Sequence, residues 1–186
     1  GPAPVIWAGS RGLGRAELDA DPGQLPIHFD TGAIGNALPL RLSPQHAVQI
    51  LGVDGNPALV RAKHLAAAGL RGVRIARGVR SITYHHLLLE QHTILSAAGA
   101  LVETMYPGRV ALAAFPPAER LAIAAAIYSV RTATQAGIID LLDLSGIYGP
   151  RCLPLLSRRD AVLACQRGTK FATLASRPRR SVKSLL

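Results

Sequence analysis

The stretch Pro39-Leu40-Arg41-Leu42-Ser43-Pro44-Gln45-His46-Ala47-Val48-Gln49-Ile50 sets a hydroxyl and an imidazole three residues apart, just ahead of an apolar run. Pro44 fixes a backbone dihedral between them and stiffens the approach. A side chain that polarises a peptide bond has to be held within hydrogen-bonding distance of it. A histidine at the root of a core strand is placed for that task. Serine and histidine at this spacing also arise by chance, and a histidine here equally fits a turn or a core position. The neighbouring segments have to decide between the two readings.

On either side of that stretch, residues 3 to 106 read as short strands cut by turn chemistry, with no long amphipathic helix. Strands are expected over Val5 to Ala8, Leu25 to Phe29, His46 to Leu51, Ala58 to Arg61, Val73 to Ala76, Arg80 to Leu89 and Thr93 to Ser96. The turns between them are expected at Asp21-Pro22-Gly23, Asp54-Gly55-Asn56-Pro57 and Ala98-Gly99. One or two helical turns over Arg61 to Ala68, stopped by Gly69, interrupt the series.

Past Pro107-Gly108 the character changes. Pro116-Pro117 ahead of Ala118-Glu119-Arg120-Leu121 is a helix start, with proline in the first turn and a carboxylate after it, and the run continues to about Val130. Thr132 or Thr134 would cap a second helix through Leu142. Tyr148-Gly149-Pro150 breaks the pattern, and Ser157 would cap a third helix through Gln166, ended by Gly168. The expected organisation is a mainly β core over 3–106, a helical extension over 107–175 and a basic mobile tail over 176–186.

With 186 residues and 49% hydrophobic content the chain can bury a sizeable core. Aromatics are only 4%, so Leu, Ile, Val and Ala have to build it. No apolar run approaches the roughly 20 residues of a membrane span. Leu121 to Tyr128 and Ala136 to Leu144 are the most hydrophobic stretches, and both are short. The formal charge of +10 is mostly a tail property, because Arg151 to Leu186 holds nine Lys or Arg against the one Asp160. Basic and aromatic residues do not interleave as a single-strand nucleic-acid platform requires, so nucleic acid is not the expected partner. Cys152 and Cys165 are too few for a disulfide scaffold and lack metal-pair spacing; both are expected as buried, reduced thiols.

Several segments around Ser43 and His46 turn the weak motif into a pattern. Upstream lie Pro4-Val5-Ile6-Trp7-Ala8-Gly9, Leu25-Pro26-Ile27-His28-Phe29 and Gly32-Ala33-Ile34-Gly35; downstream lie Val60-Arg61-Ala62-Lys63-His64-Leu65, then Tyr84-His85-His86 with His92 six residues on, then Gly99 and Glu103-Thr104. In this order they resemble the Hedgehog/intein, or Hint, domain family, and its large bacterial group in particular. Ser43 and His46 match the family's Thr or Ser, two residues, then His. The resemblance covers about residues 4 to 106.

The resemblance implies a mainly β, horseshoe-like core. It implies autoprocessing: His46 would contact a scissile peptide and favour an N-to-S acyl shift, with Ser43 orienting that contact and His92 then His86 assisting thioester breakdown. It implies no cofactor and no metal. The family's first block, carrying the Cys or Ser nucleophile, is expected upstream of Trp7, so the chain reads as the distal part of such a domain, inactive alone and completed by an N-terminal segment in cis or in trans. Glu103-Thr104 stands where splicing inteins carry His-Asn, and asparagine cyclisation is therefore not expected.

Three other readings stay open. The basic tail would bind an acidic partner or an anionic surface. His85, His86 and His92, with Glu90 or Glu103, would hold zinc, although their spacing fits no familiar ligand motif. Exposed strand edges would pair with a second copy or with the complementary fragment, making the chain an assembly module.

Overall fold

Aliphatic runs cut every few residues by Gly, Pro or Asp can form only short strands. The computed structural model describes residues 3–131, 139–168 and 171. Its first part runs β1 (Val5–Leu13), α1 (Arg15–Ala20), β2 (Ile27–Phe29), β3 (Leu40–Leu42), β4 (Ala47–Leu51), β5 (Pro57–Arg61) and α2 (Ala62–Ala67). Next come β6 (Val73–Ile75), β7 (Ile82–Leu89), β8 (Ile94–Ala97) and β9 (Ala100–Glu103). Four helices follow: α3 (Arg109–Leu112), α4 (Pro117–Val130), α5 (Ser145–Tyr148) and α6 (Arg158–Gln166).

The strands form three antiparallel sheets, β1-β7, β3-β2-β6 and β5-β4-β9-β8. The last of these builds the site, because Val48 pairs with Val102 and so sets the His46 turn beside the end of β9. Its two hairpins close on chemistry visible in the sequence. Between β8 and β9, Ala98 (φ 49°) and Gly99 (φ 91°) form a two-residue left-handed turn. Between β4 and β5, Asp54 Oδ1 accepts the Asn56 N–H at 3.0 Å and Gly52 donates to the Asn56 carbonyl at 2.7 Å.

A fully buried apolar set, Ile27, Phe29, Ile34, Val48, Ile50, Val60 and Leu65 among others, fills the space between the sheets. Ala161 and Ala164 of α6 belong to the same cluster, so the last helix is packed into the β core. A second cluster gathers Leu88 of β7 and Met105 with Ile123, Ala124 and Ile127 of α4, Phe115 and Tyr148; Trp7 of β1 packs against it. Burying side chains such as Ile123 and Ile127 contributes about 1.5–3 kcal/mol each. Among the described residues no helix is long and apolar enough to cross a membrane.

Several expectations need correction. The expected strand at His46 begins one residue later, because the His46 N–H turns back to the Ser43 carbonyl and its own carbonyl accepts from Ala62. The strand expected from Leu25 begins at Ile27: Leu25 donates to Pro22 at the end of a 3-10 turn over Pro22–Gln24, and Pro26 has no N–H to give. β1 runs on to Leu13, well past Ala8, in register with β7. β3, β9 and α1 are elements the local pattern did not single out. α4 spans Pro117–Val130 and α6 is capped by Ser157, whose Oγ accepts the Asp160 N–H; both follow the expected start signals. Of the helix expected through Leu142, residues 139–142 are not helical, 141–142 forming a turn with Asp140 Oδ1 accepting the Leu142 N–H, and residues 132–138 lie outside the described residues. The expected tail, 176–186, also lies outside them.

Candidate functional site

Ser43 to His46 forms a tight turn closed by the His46 N–H on the Ser43 carbonyl at 3.1 Å, with Pro44 at its second position. The next N–H, that of Ala47, donates to Glu103 Oε1 at 2.9 Å. Glu103 reaches it because β9 lies against β4. Its other oxygen, Oε2, accepts from His92 Nε2 at 3.1 Å and from Arg151 Nη1 at 2.8 Å.

Those bonds fix the chemistry of two groups. His92 Nδ1 accepts the Cys152 N–H at 3.1 Å, so the ring proton sits on Nε2, where it meets Glu103. Burial pushes the Glu103 carboxyl up, but the His92 hydrogen bond and the neighbouring His46 and Arg151 charges outweigh it and hold it below its ordinary value. A buried carboxylate with three donors is thereby kept ionised behind His46.

A cleft of about 390 Å³ opens over this arrangement, and Ser43, His46, His86, Glu103 and Arg151 all form part of its wall. His46 Nε2 is shielded from solvent and has no hydrogen-bond partner among the described residues. Burial pushes the His46 pKa down; the Glu103 charge and main-chain carbonyl counter this only in part. His86 stands on β7 opposite Gly9 of β1, its ring edge-on to Phe115 with centroids 5.0 Å apart. Burial, then the His46 and Arg11 charges, lower its pKa to about 4. Both imidazoles facing the cleft are thus neutral near pH 7, the form that can accept a proton.

Three of the four expected site residues, Ser43, His46 and His86, line the cleft together. His92 does not. It lies in the loop after β7, with a fully buried side chain, and reaches the cleft through Glu103 and through the Tyr106 ring, which it meets edge-on with centroids 5.2 Å apart. Even spacing from His86 therefore does not put the two rings on one strand face. His85 is exposed, as expected. The arrangement of His85, His86 and His92 is not a metal cage, and no group of three His, Cys, Asp or Glu among the described residues is arranged to hold an ion. Cys152 corrects another expectation: it is exposed, its main-chain N–H committed to His92, whereas Cys165 is half-buried against the core.

What local sequence did not reveal is the origin of Arg151. Residues 148–156 cross back over the β core as a strap. Tyr148 Oη donates to the Leu89 carbonyl at 2.8 Å, Tyr106 Oη to the Gly149 carbonyl at 3.1 Å, and Leu59 pairs on both sides with Pro154 and Leu156. The Arg151 guanidinium then lies over the Tyr106 ring at 3.9 Å from its centroid while holding Glu103. Tyr148-Gly149-Pro150 was the one local sign of a turn there.

A Hint domain model matches residues 1–109, more than half of the chain, and the chain belongs to the Hint domain family. No curated protein and no solved structure matches it. The matched span contains Ser43, His46, His86, His92 and Glu103, whereas Arg151 lies beyond it.

Proposed function

We propose that this Hint domain promotes self-cleavage of a peptide bond at an upstream cysteine junction, the bond entering the cleft beside Ser43 and His46. The observation that carries this reading is that His46, a residue of the cleft lining, holds a shielded Nε2 with no hydrogen-bond partner among the described residues. A shielded polar nitrogen without a partner loses the hydrogen bond that water would have given it, and a substrate that supplies one gains by entering.

The cysteine, borne on a segment presented in cis or in trans, attacks the carbonyl carbon of the residue before it. The new S–C bond replaces the C–N bond, leaving a thioester and a free amine. His46 Nε2 accepts the thiol proton and returns it to the leaving nitrogen, so the imidazole ends as it began. The Glu103 carbonyl beside the ring favours a proton on Nδ1, leaving the Nε2 lone pair toward substrate. The ionised Glu103 steadies the imidazolium that forms in between. Ser43 orients the peptide at the turn, and neutral His86 assists thioester breakdown. His92 acts through Glu103, as a positioning residue.

Mass spectrometry of the full gene product tests this. A fragment pair cut before an upstream cysteine, increased by added thiol and lost in His46→Ala, is the expected result. Intact protein under the same conditions, or cleavage unchanged in His46→Ala, overturns it.

A further inference from the structure

Four guanidinium groups, those of Arg11, Arg61, Arg109 and Arg151, line the cleft against a single carboxylate, Glu103. That carboxylate is already spent on three donors, and Arg151 is held by it. Arg109 is engaged outward with Asp140 at 3.0 Å. Arg11 and Arg61 have no ion-pair partner among the described residues, and both are half-buried in the cleft wall. Arg61 ends β5 opposite Ala47, next to His46, and Arg11 stands on β1 opposite Tyr84, close enough for its charge to weigh on both Tyr84 and His86. Unpaired cations inside a concave, partly dewatered wall attract an anionic ligand more strongly than the same charges on an open surface.

We infer that the cleft takes an acidic peptide segment, with Arg11 and Arg61 as the two free cations that receive carboxylates flanking the bond beside His46. The inference rests on the proposed self-cleavage in one respect: that reading makes the occupant a polypeptide. Carboxylate side chains near the junction would then fix which neighbouring sequence is presented to His46, giving the cleft a charge preference in addition to its shape.

The probe is a rhodamine-labelled, end-blocked hexapeptide, Gly-Ala-Glu-Glu-Ala-Gly, and its Gln-Gln counterpart, titrated with the full chain and followed by fluorescence anisotropy. The acidic peptide is expected to bind, the neutral one to bind at least tenfold more weakly, and the difference to shrink on raising salt from about 50 to about 300 mM. Arg11→Gln and Arg61→Gln are each expected to weaken the acidic peptide roughly fivefold. Arg159→Gln, on the exposed face of α6 and outside the cleft, should leave it unchanged. Equal binding of both peptides, binding of neither, an equal loss in Arg159→Gln, or an unchanged affinity in the Arg11→Gln/Arg61→Gln double variant would each overturn the inference. So would displacement of the probe by a short oligonucleotide at a lower concentration than by unlabelled acidic peptide. Circular dichroism of the variants guards against misfolding, and the salt response of the unaltered chain needs no variant. His46→Ala should retain the peptide while losing cleavage, so a failed cleavage reaction with intact selective binding counts against the catalytic reading alone.

Discussion

Arg151 Nη1 lies 2.8 Å from Glu103 Oε2, which ties a strap beyond the matched Hint region to the carboxylate that backs His46. The two residues are 48 positions apart, and the guanidinium is steadied on its other side by the Tyr106 ring. A contact of this kind sets both the charge and the position of Glu103.

Arg151→Gln should therefore destabilise the fold by about 1–2 kcal/mol, because it removes one donor from a buried carboxylate that keeps two others. Urea denaturation with Arg15→Gln as reference checks this. Arg15 pairs with Asp19 on an exposed helix face, where both side chains are more than two-thirds accessible, and its loss should leave the midpoint unchanged.

Acidity should weaken the fold in a defined direction. The His86 pKa falls from its ordinary 6.5 to about 4 on folding, so between those values the unfolded chain binds a proton that the folded one refuses. Stability is then full above about pH 6.5 and is lost as pH falls toward 4, by about 2 kcal/mol for this group after allowance for its partial exposure. The depressed carboxyl of Glu103 adds a loss of the same sign at lower pH. Denaturation midpoints at pH 7 and pH 5 should differ accordingly, and His86→Phe should flatten part of the slope; an unchanged slope would contradict the burial of that ring.

Gly9 admits no side chain. A Cβ there would collide with the Trp7 ring, which packs edge-on to Phe115, the same ring that His86 meets. Gly9→Ala should cost about 1–3 kcal/mol by forcing the indole off its seat. Gly12→Ala, three residues along the same strand with nothing within 4 Å, is the matched comparison and should be close to neutral. Tryptophan fluorescence would report the displaced ring directly.

His92 and His46 should fail differently in cleavage. His46→Ala is expected to slow the reaction by roughly 10²–10⁴, the range of a lost acid–base group. His92→Leu should slow it less and shift the pH profile, since Glu103 loses a donor while His46 remains. Single-turnover rates across pH separate the two, and identical profiles would remove the positioning role.

The parts of this architecture legible in sequence were those written within a few residues. Ala98-Gly99 specified its hairpin, Pro117 and Ser157 specified their helix starts, and Ser43-Pro44-Gln45-His46 placed the imidazole at the entry to β4, though the turn that holds it there was read as the strand's first residue. Glu103 stood in view only as a family position, because nothing in its neighbours tells that its oxygens would cap Ala47 and hold His92. Arg151 and α1 were invisible for related reasons. One depends on a chain reversal stitched by Tyr148, Tyr106 and Leu59, and the other is a six-residue helix supported by a single buried side chain, Leu18. Local propensity cannot encode contacts that exist only after the strands have paired.

The two alanines of α6 in the β core have a practical corollary for anyone trimming this chain. A cut placed at residue 109, where the family match ends, would take Ala161 and Ala164 out of the cluster that holds Leu65 and Val60, remove the Cys152 N–H from His92 Nδ1, and leave the Glu103 carboxylate without the Arg151 guanidinium. The shortest piece that keeps the cleft and the core beneath it whole runs at least through Gln166, some fifty-seven residues beyond the end of the family match.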